Sequence, residues 1–232
     1  MLRRSGRGDG MDHKRITIFA GHYGSGKTTA AVNYALWLAR ARQNVTLCDM
    51  DIVNPYFRTA DYEAVLARGG VELLRSPYAN TNVEMLGAPV EALRLFDDTR
   101  LTGVIDLGGD DRGALALGRY AARLRDSGDA ALWMVVNPYR PLTRDIEGLR
   151  EMRAEIEGAA RLRFTGIVNN TNLGGATAPA DIAAYFPLVR ELSETLALPV
   201  MMTCVKAGIA LEVPTGLGER FEVTCYGNRF GV

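Results

Sequence analysis

The sequence has no excess charge of either sign and no long apolar run. Across its 232 residues, 27 lysines and arginines balance 27 aspartates and glutamates, so the formal net charge is zero. A neutral chain generates no global field that would draw it to nucleic acid or to an anionic membrane surface. No apolar run approaches the roughly 18 residues that a membrane-spanning helix requires. Composition therefore predicts a protein that does not engage the membrane, and nucleic acid is not a favoured partner.

Cysteine and histidine are also scarce. The three cysteines, Cys48, Cys204 and Cys225, lie far apart without a C-x-x-C pair, and the two histidines are His13 and His22. An odd number of widely spaced thiols is typical of a reducing compartment rather than of a disulfide scaffold. We therefore predict a cytoplasmic protein. Free cysteines are usually small core residues, and the alternative that Cys204 and Cys225 bind a metal stays open.

The N-terminal segment, residues 1–13, is basic and rich in glycine but lacks the apolar stretch of a signal peptide. We predict that it is a disordered leader. No linker or repeat divides the remainder, and its length suits one large core. The sequence therefore predicts a single domain over 14–232.

The most informative segment is 21–29, which reads GHYGSGKTT and fits the pattern G-x-x-x-x-G-K-[ST]. A short apolar, β-branched run at 15–20 precedes it and predicts a buried strand. The following residues, 28–42, carry an apolar stripe with helical spacing. A strand, a glycine loop and a helix in this order are the context in which the pattern binds phosphate, whereas a glycine turn between two elements is the alternative.

The chemistry of phosphate explains the spacing. Gly21, Gly24 and Gly26 allow the backbone to wrap closely around a phosphate chain with its N–H groups facing inward. The helix N-terminus adds partial positive charge, Lys27 can reach the β- and γ-phosphates, and the Thr28 hydroxyl can ligate Mg²⁺. The predicted nucleotide-binding residues are Gly21, His22, Tyr23, Gly24, Ser25, Gly26, Lys27, Thr28 and Thr29.

Further apolar runs alternate with helical patterns along the rest of the chain. Predicted strands lie at 44–49, 71–74, 102–109, 130–136, 162–169 and 199–204, and 221–226 alternates like an edge strand. Predicted helices include 112–127, 143–158 with Thr143 as cap, and 180–196. Several strands are apolar throughout, which favours a parallel sheet covered on both faces. We predict an α/β fold with a mostly parallel sheet of about seven strands.

Polar residues stand where several of these strands end. Asp49 and Asp51, Asp106, Asn137 and Asn169 would all lie at the carboxyl edge of the sheet, where ligands bind. Carboxylates there can hold Mg²⁺ or orient an attacking water, and Asn169 could hydrogen-bond a purine edge. Helix capping and turn formation are the alternatives for all of them.

Together these segments resemble the ParA/MinD type (SIMIBI class) of P-loop ATPase. The similarity covers the glycine loop, the segment 49–52, the strand with Asp106 before Gly108 and the strand ending at Asn137, in motif order over about residues 15–205. It implies ATP and Mg²⁺ as cofactors and a nucleotide-dependent switch acting on a protein partner or through a homodimer. By position, Lys27 and Asp51 would be catalytic, Thr28, Asp49 and Asp106 would support the metal, and Asn169 would contact adenine.

One position departs from that family. Its dimeric members carry a second lysine near the start of the loop that reaches the partner's nucleotide, but this chain has His22 there, followed by Tyr23. A neutral imidazole cannot supply a permanent positive charge to a transition state. The residues that could replace it are Arg58, Arg112, Arg140 and Arg144, and the sequence does not choose among them.

Other functions are compatible with the same loop. A GTP-dependent metallochaperone is one, but such GTPases read guanine through N-K-x-D, and residues 169–172 read NNTN, without the lysine or the aspartate. A small-molecule kinase would need an acceptor pocket, for which Tyr56, Tyr78 and Tyr139 are candidates. A scaffold that binds nucleotide without hydrolysing it is the non-enzymatic alternative.

Overall fold

A single sheet organises the chain. The computed structural model describes residues 13–50, 59–74, 93–108 and 111–226. Within these ranges the strands are β1 (Ile16–Ala20), β2 (Val45–Met50), β3 (Val71–Leu74), β4 (Thr102–Leu107), β5 (Ala130–Val136), β6 (Gly166–Asn169), β7 (Val200–Lys206) and β8 (Glu219–Val223). Seven were expected and the described residues form eight, because the alternating C-terminal segment pairs as an edge strand.

The strand order is β3-β2-β4-β1-β5-β6-β7-β8, and every neighbouring pair is parallel. On one side of β1 the sheet contains β4, β2 and β3, and on the other side it contains β5 to β8. The connection after β1 runs to the first side, to β2, and the connection after the neighbouring β5 runs to the second side, to β6. Where the connections of two neighbouring strands leave in opposite directions, a crevice opens at the carboxyl ends of those strands. The end of β1 is that point, and the glycine loop begins there.

Helices cover both faces of the sheet. They are α1 (Lys27–Ala39), α2 (Thr59–Arg68), α3 (Leu93–Asp97), α4 (Asp111–Gly118), α5 (Ala121–Ser127), α6 (Ile146–Ala160), α7 (Pro179–Ala183) and α8 (Phe186–Leu196). The apolar residues of α1 and α2 pack in one core with Phe19, Trp133 and Phe221. Those of α3, α4, α5, α6 and α8 form a second core on the opposite face. The α/β class and the covered parallel sheet are confirmed.

Three helix boundaries differ from the sequence prediction. The predicted helix at 112–127 is two helices, because α4 ends at Gly118, whose missing side chain allows close approach to the Ala159 carbonyl of α6. The helix predicted at 180–196 also divides, since Pro187 stands in the first turn of α8 and has no N–H to continue an earlier helix. Thr143 does not cap α6; that helix starts at Ile146.

The cap of α6 is Asp145, whose Oδ1 accepts a hydrogen bond from the Gly148 amide at 2.9 Å. Thr143 lies in the preceding 3-10 turn, where its hydroxyl donates to the Asn137 carbonyl at 2.6 Å. That contact closes the segment between β5 and α6. Within the described ranges, the helices are too short or too polar to cross a membrane.

Candidate functional site

The glycine loop connects β1 to α1 in the predicted order. Gly24 and Gly26 have φ values of 79° and 85°, a region that side-chain-bearing residues rarely enter. A Cβ on Gly21 would lie 2.5 Å from the Val135 carbonyl oxygen on β5. The loop therefore needs glycine at Gly24 and Gly26 because of their backbone conformation, and at Gly21 because β5 lies too close for a side chain.

The first turn of α1 brings polar groups to the same place. Lys27 is only 5% exposed, and its Nζ donates to the His22 carbonyl at 3.0 Å across the loop. Thr28 and Thr29 follow in the same turn and are half-buried, whereas Tyr23 on the outer side is 63% exposed. Amides at a helix N-terminus are unpaired within the helix and attract anions. Lys27 and this turn form an electropositive end to the loop.

Two aspartates stand beside each other next to the loop. Asp49 on β2 and Asp106 on β4 are register partners, and Asp106 is in turn paired with Phe19 of β1. Side chains alternate between faces along a strand. Asp49 shares its face with Leu47, and Asp106 shares its face with Val104, and both of these pack in the core that contains α1. The two carboxylates therefore belong to the α1 side of the sheet, at its carboxyl end.

These residues fit a nucleotide phosphate and Mg²⁺. The Ser25 hydroxyl is fully buried and has no hydrogen-bond partner among the residues that the structure describes. The glycine positions leave the loop free of side chains where a phosphate would approach, and Mg²⁺ is usually held through one or two carboxylates, a hydroxyl and phosphate oxygens. The donor set of Thr28, Asp49 and Asp106 has that composition.

A buried asparagine ties the loop to the next strands. Asn170, 4% exposed, donates from Nδ2 to the Ser25 carbonyl at 2.7 Å, and its side chain packs directly on Gly26. Its own amide donates to the Val136 carbonyl at 2.8 Å. Asn170 thus joins the ends of β5 and β6 to the phosphate loop. The sequence prediction selected its neighbour Asn169 and missed it.

Asn169 itself is fully buried inside the protein. Its Nδ2 donates to the Thr203 hydroxyl at 3.2 Å, and its Oδ1 accepts from the Thr171 hydroxyl at 2.6 Å and from the Thr171 amide at 3.2 Å. Both ends of the side-chain amide are occupied by protein groups. The geometry gives Asn169 a positioning role at the end of β6, and the adenine contact stays a prediction.

Asn137 connects the two loops that follow β5 and β6. Its Nδ2 donates to the Asn172 carbonyl at 3.1 Å, and its Oδ1 accepts from the amides of Asn172 and Tyr139 at 3.3 and 3.2 Å. It is 1% exposed. This buried network fixes the edge of the site beyond the glycine loop, as expected from a polar residue at the strand end.

Arg140 is one of the four arginines among which the sequence does not choose. Its Nε donates to the Gly24 carbonyl at 3.1 Å, so its guanidinium lies on the glycine loop. No local pattern marks Arg140, because the contact joins residues 116 positions apart. The Asn170 contact with Ser25 joins residues 145 apart, and only the doubled asparagine at the end of β6 hinted at it.

Some predicted residues lie outside the described residues. Asp51 and Arg58 fall in 51–58, and Tyr78 falls in 75–92. Arg112 belongs to α4, whose opening side chains are likewise not described. The leader, apart from His13, is also outside the described ranges. Their predicted roles stay predictions.

Cys48, Cys204 and Cys225, all within the described residues, form no disulfide and lie in two different environments. Cys48 and Cys204 are buried, and burial raises the pKa of the Cys204 thiol to about 12. Cys225 follows β8 and is exposed. Among the described residues, no group of three or more metal-ligating side chains of the His, Cys, Asp or Glu type comes together. The suggested metal site at Cys204 and Cys225 stays without support from this geometry.

Neither the scan of family models nor the search of curated proteins found a match. Solved structures do match. FtsY from Mycoplasma mycoides aligns with a TM-score of 0.51 at 18% identity, over 82% of this chain and 59% of that one. The cell division protein FtsY of Thermotoga maritima gives 0.57 at 17% identity, over 82% and 61%. Chloroplast FtsY of Physcomitrella patens gives 0.54 at 19%, over 81% and 57%.

The chain spans about three fifths of the length of these structures. At such identities the likeness concerns the fold. The glycine loop at the carboxyl end of a central strand, the parallel sheet and its two helical layers are shared features of that fold. The chain has the fold of a P-loop NTPase.

Proposed function

We propose that the protein is a Mg²⁺-dependent P-loop ATPase that acts as a nucleotide-dependent switch on a protein partner. The strongest support for this proposal is that the Asp49–Asp106 pair lies on the α1 face of the sheet, at the same carboxyl edge as the glycine loop. A phosphate cradle and two adjacent carboxylates are the parts that phosphoryl transfer needs, because its catalysis consists largely of positioning and charge neutralisation.

Each residue then has a specific task. The loop amides and Lys27 bind the phosphate chain, and Thr28, Asp49 and Asp106 hold Mg²⁺ directly or through water. The metal, when bound, neutralises charge on the phosphate oxygens. Asp51 directly follows β2 in the sequence, and we assign to it the orientation of the attacking water.

The loop after β6 supports ATP rather than GTP. Guanine recognition by a carboxylate requires a side chain with two free acceptor oxygens. Asn172 cannot serve, since its Nδ2 donates to the Asn170 carbonyl at 2.7 Å and its Oδ1 accepts from the Gly174 amide at 3.1 Å. The segment 169–173 also contains neither lysine nor aspartate. We therefore assign adenine as the base.

The switch hypothesis depends on the segment that follows Asp51. It reads IVNPYFR, and a loop attached directly to a γ-phosphate-sensing carboxylate can differ between the triphosphate and diphosphate states. We propose that this difference changes affinity for a protein partner or for a second copy of the chain, in the cytoplasm.

Phosphate release from ATP and GTP tests the proposal. We expect Mg²⁺-dependent turnover of ATP, slower turnover of GTP, and a loss of about 100-fold or more in Asp51→Ala, as is typical when a residue that activates the nucleophile is removed. Asp126→Ala is the matched control, because Asp126 is an exposed residue at the end of α5. An Asp51→Ala protein that turns over ATP at the wild-type rate would refute the role of Asp51.

Sedimentation of the same samples tests the switch. A change in association state between ATP and ADP would support self-association as its output. A monomer in both states would direct the search to a different protein partner.

The reaction product separates an ATPase from a kinase. A phosphorylated small molecule in place of free phosphate would identify a kinase and overturn the ATPase assignment.

A further inference from the structure

The glycine loop carries one permanent positive charge of its own, that of Lys27. At the position where a second lysine would add another, the residue is His22, and histidine as a residue type is not a permanent cation. Hydrolysis of a triphosphate nevertheless develops charge on several oxygens at once. A second cation within the same chain would therefore matter to this site.

Arg140 brings such a cation to the loop. Its Nε donates to the Gly24 carbonyl oxygen at 3.1 Å. Among the residues that the structure describes, Nε is the atom of this guanidinium that hydrogen-bonds, so its two terminal nitrogens remain available as donors. Arginine is charged at every physiological pH and presents those donors in a fixed planar fork that matches phosphate.

The backbone holds Arg140 at this place. The Arg140 amide donates to the Asn137 carbonyl at 2.9 Å, and the Thr143 amide donates to the Arg140 carbonyl at 3.0 Å. The buried Thr143 hydroxyl closes the turn by donating to the same Asn137 carbonyl at 2.6 Å. The arginine is therefore presented from a turn anchored at the end of β5, next to the loop.

The other arginine of this turn is placed differently. Arg144 is 72% exposed and lies 3.7 Å from Asp145, the cap of α6. Within the described part of the chain it forms no hydrogen bond with the glycine loop, and its ion pair is with Asp145. Of the two candidates whose side chains the structure describes, Arg140 is the one that reaches the loop.

We propose that Arg140 supplies, from the same chain, the second positive charge of the phosphate site and favours the bound triphosphate and its hydrolysis. The inference rests on the proposed ATPase function. In this proposal the positive charge of the Arg140 guanidinium acts on the bound phosphates. In a purely structural role, by contrast, the hydrogen bond to Gly24 would only hold the loop in shape.

Two substitutions separate charge from hydrogen bonding. Arg140→Lys keeps a positive charge, whereas Arg140→Gln keeps a donor for the Gly24 carbonyl and removes the charge. Arg144→Gln is the matched control in the same turn. Arg140 is exposed, so all three variants should fold, and thermal melting verifies that they do.

The readouts are single-turnover hydrolysis and the Kd values for ATP and ADP with Mg²⁺. In Arg140→Gln we expect hydrolysis to fall about tenfold to a hundredfold. This is less than the loss of about 100-fold to 1000-fold that is typical of a buried transition-state donor, because the Arg140 side chain is exposed and solvent screens its charge. ATP affinity should fall more than ADP affinity, since ATP carries the additional phosphate. Arg140→Lys should lose less than Arg140→Gln, because it keeps the positive charge although not the planar fork, and Arg144→Gln should stay within about threefold of wild type, because it leaves Arg140 in place.

Equal losses in Arg140→Lys and Arg140→Gln, or wild-type behaviour of Arg140→Gln, would overturn the inference while leaving the ATPase assignment intact. If the wild type binds ATP without hydrolysing it, the ratio of the ATP and ADP affinities still decides the role of the charge. If the wild type binds no nucleotide, the proposed function and this inference both fail.

Discussion

Truncating Asn170 provides a quantitative test of how the site is held together. Its side chain donates at 2.7 Å to the Ser25 carbonyl, and both residues are buried. Asn170→Ala leaves that carbonyl without its partner, which costs about 1–3 kcal/mol of unfolding free energy. Because the lost bond fixes the loop that receives phosphate, nucleotide binding must reorder the loop and bears much of the same cost.

The expected weakening of ATP binding follows from this energy. A cost of about 1–3 kcal/mol corresponds to an increase in Kd of about fivefold to 150-fold. Urea unfolding measures the first quantity, and calorimetric titration with Mg²⁺ and ATP measures the second. Both should change in Asn170→Ala.

Asn33→Ala is the matched control. Asn33 on α1 is also a buried asparagine, and its side chain bonds the Thr29 carbonyl and both the amide and the carbonyl of Thr224, at 2.8 to 2.9 Å. Its removal should destabilise the fold at least as much but weaken ATP binding less than Asn170→Ala does, because Asn33 bonds Thr29 and Thr224 and not Ser25 of the glycine loop. If the two variants weaken ATP binding equally, or if Asn170→Ala binds as tightly as the wild type, the tether does not shape the site.

Three further predictions concern other parts of the chain. Gly26→Ala should weaken ATP binding by about tenfold or more. The φ of 85° at this position is strained for a residue with a Cβ, and the new Cβ would clash with the side chain of Asn170. Unchanged ATP affinity in a titration would contradict this prediction. Burial would raise the pKa of Glu157, but hydrogen bonds from Phe164, Arg163 and Arg153 outweigh it and lower that pKa. The ionised carboxylate therefore stabilises the fold at pH values above the unfolded pKa of the group. In urea titrations the wild type should be more stable than Glu157→Gln by about 1–3 kcal/mol at pH 7, and this difference should shrink as the pH falls from about 5 to about 3, through and below the ordinary pKa range of a glutamate. A difference that stays constant over this range would refute the prediction. In native protein one thiol, Cys225, should react quickly with a disulfide reagent, while Cys48 and Cys204 should react only on unfolding; three equally fast thiols would show the burial to be wrong.

Local patterns predicted much of this fold. The strand and the helix around the glycine loop follow from periodicity within about 30 residues, the length of one βαβ unit, and the parallel arrangement follows from apolar strands alternating with helices. The placement of Asp49 beside Asp106 was expected at one edge of the sheet, but their shared register depends on β2 pairing with β4. Strand order is a long-range property that periodicity does not contain.

The errors have the same origin. Continuous helices were predicted where the apolar stripe continued, but Gly118 and Pro187 end or restart them for reasons of close packing and a missing N–H. The sequence marked Asn169 because it ends a strand, whereas the structure brings its neighbour Asn170 to the loop. Asn169 and Asn170 are adjacent, so choosing between them requires the strand end to be placed to a single residue. Strand ends are defined only to within one or two residues, and a single sequence does not resolve them more finely.

The most direct test of the central proposal is equilibrium binding of ATP to the wild-type chain, with and without Mg²⁺, beside Lys27→Ala. The account predicts Mg²⁺-dependent binding of ATP that is tighter than binding of GTP and is weakened by about tenfold or more when the Lys27 charge is removed. Absence of ATP binding in the presence of Mg²⁺, or binding that is unchanged in Lys27→Ala, would contradict it.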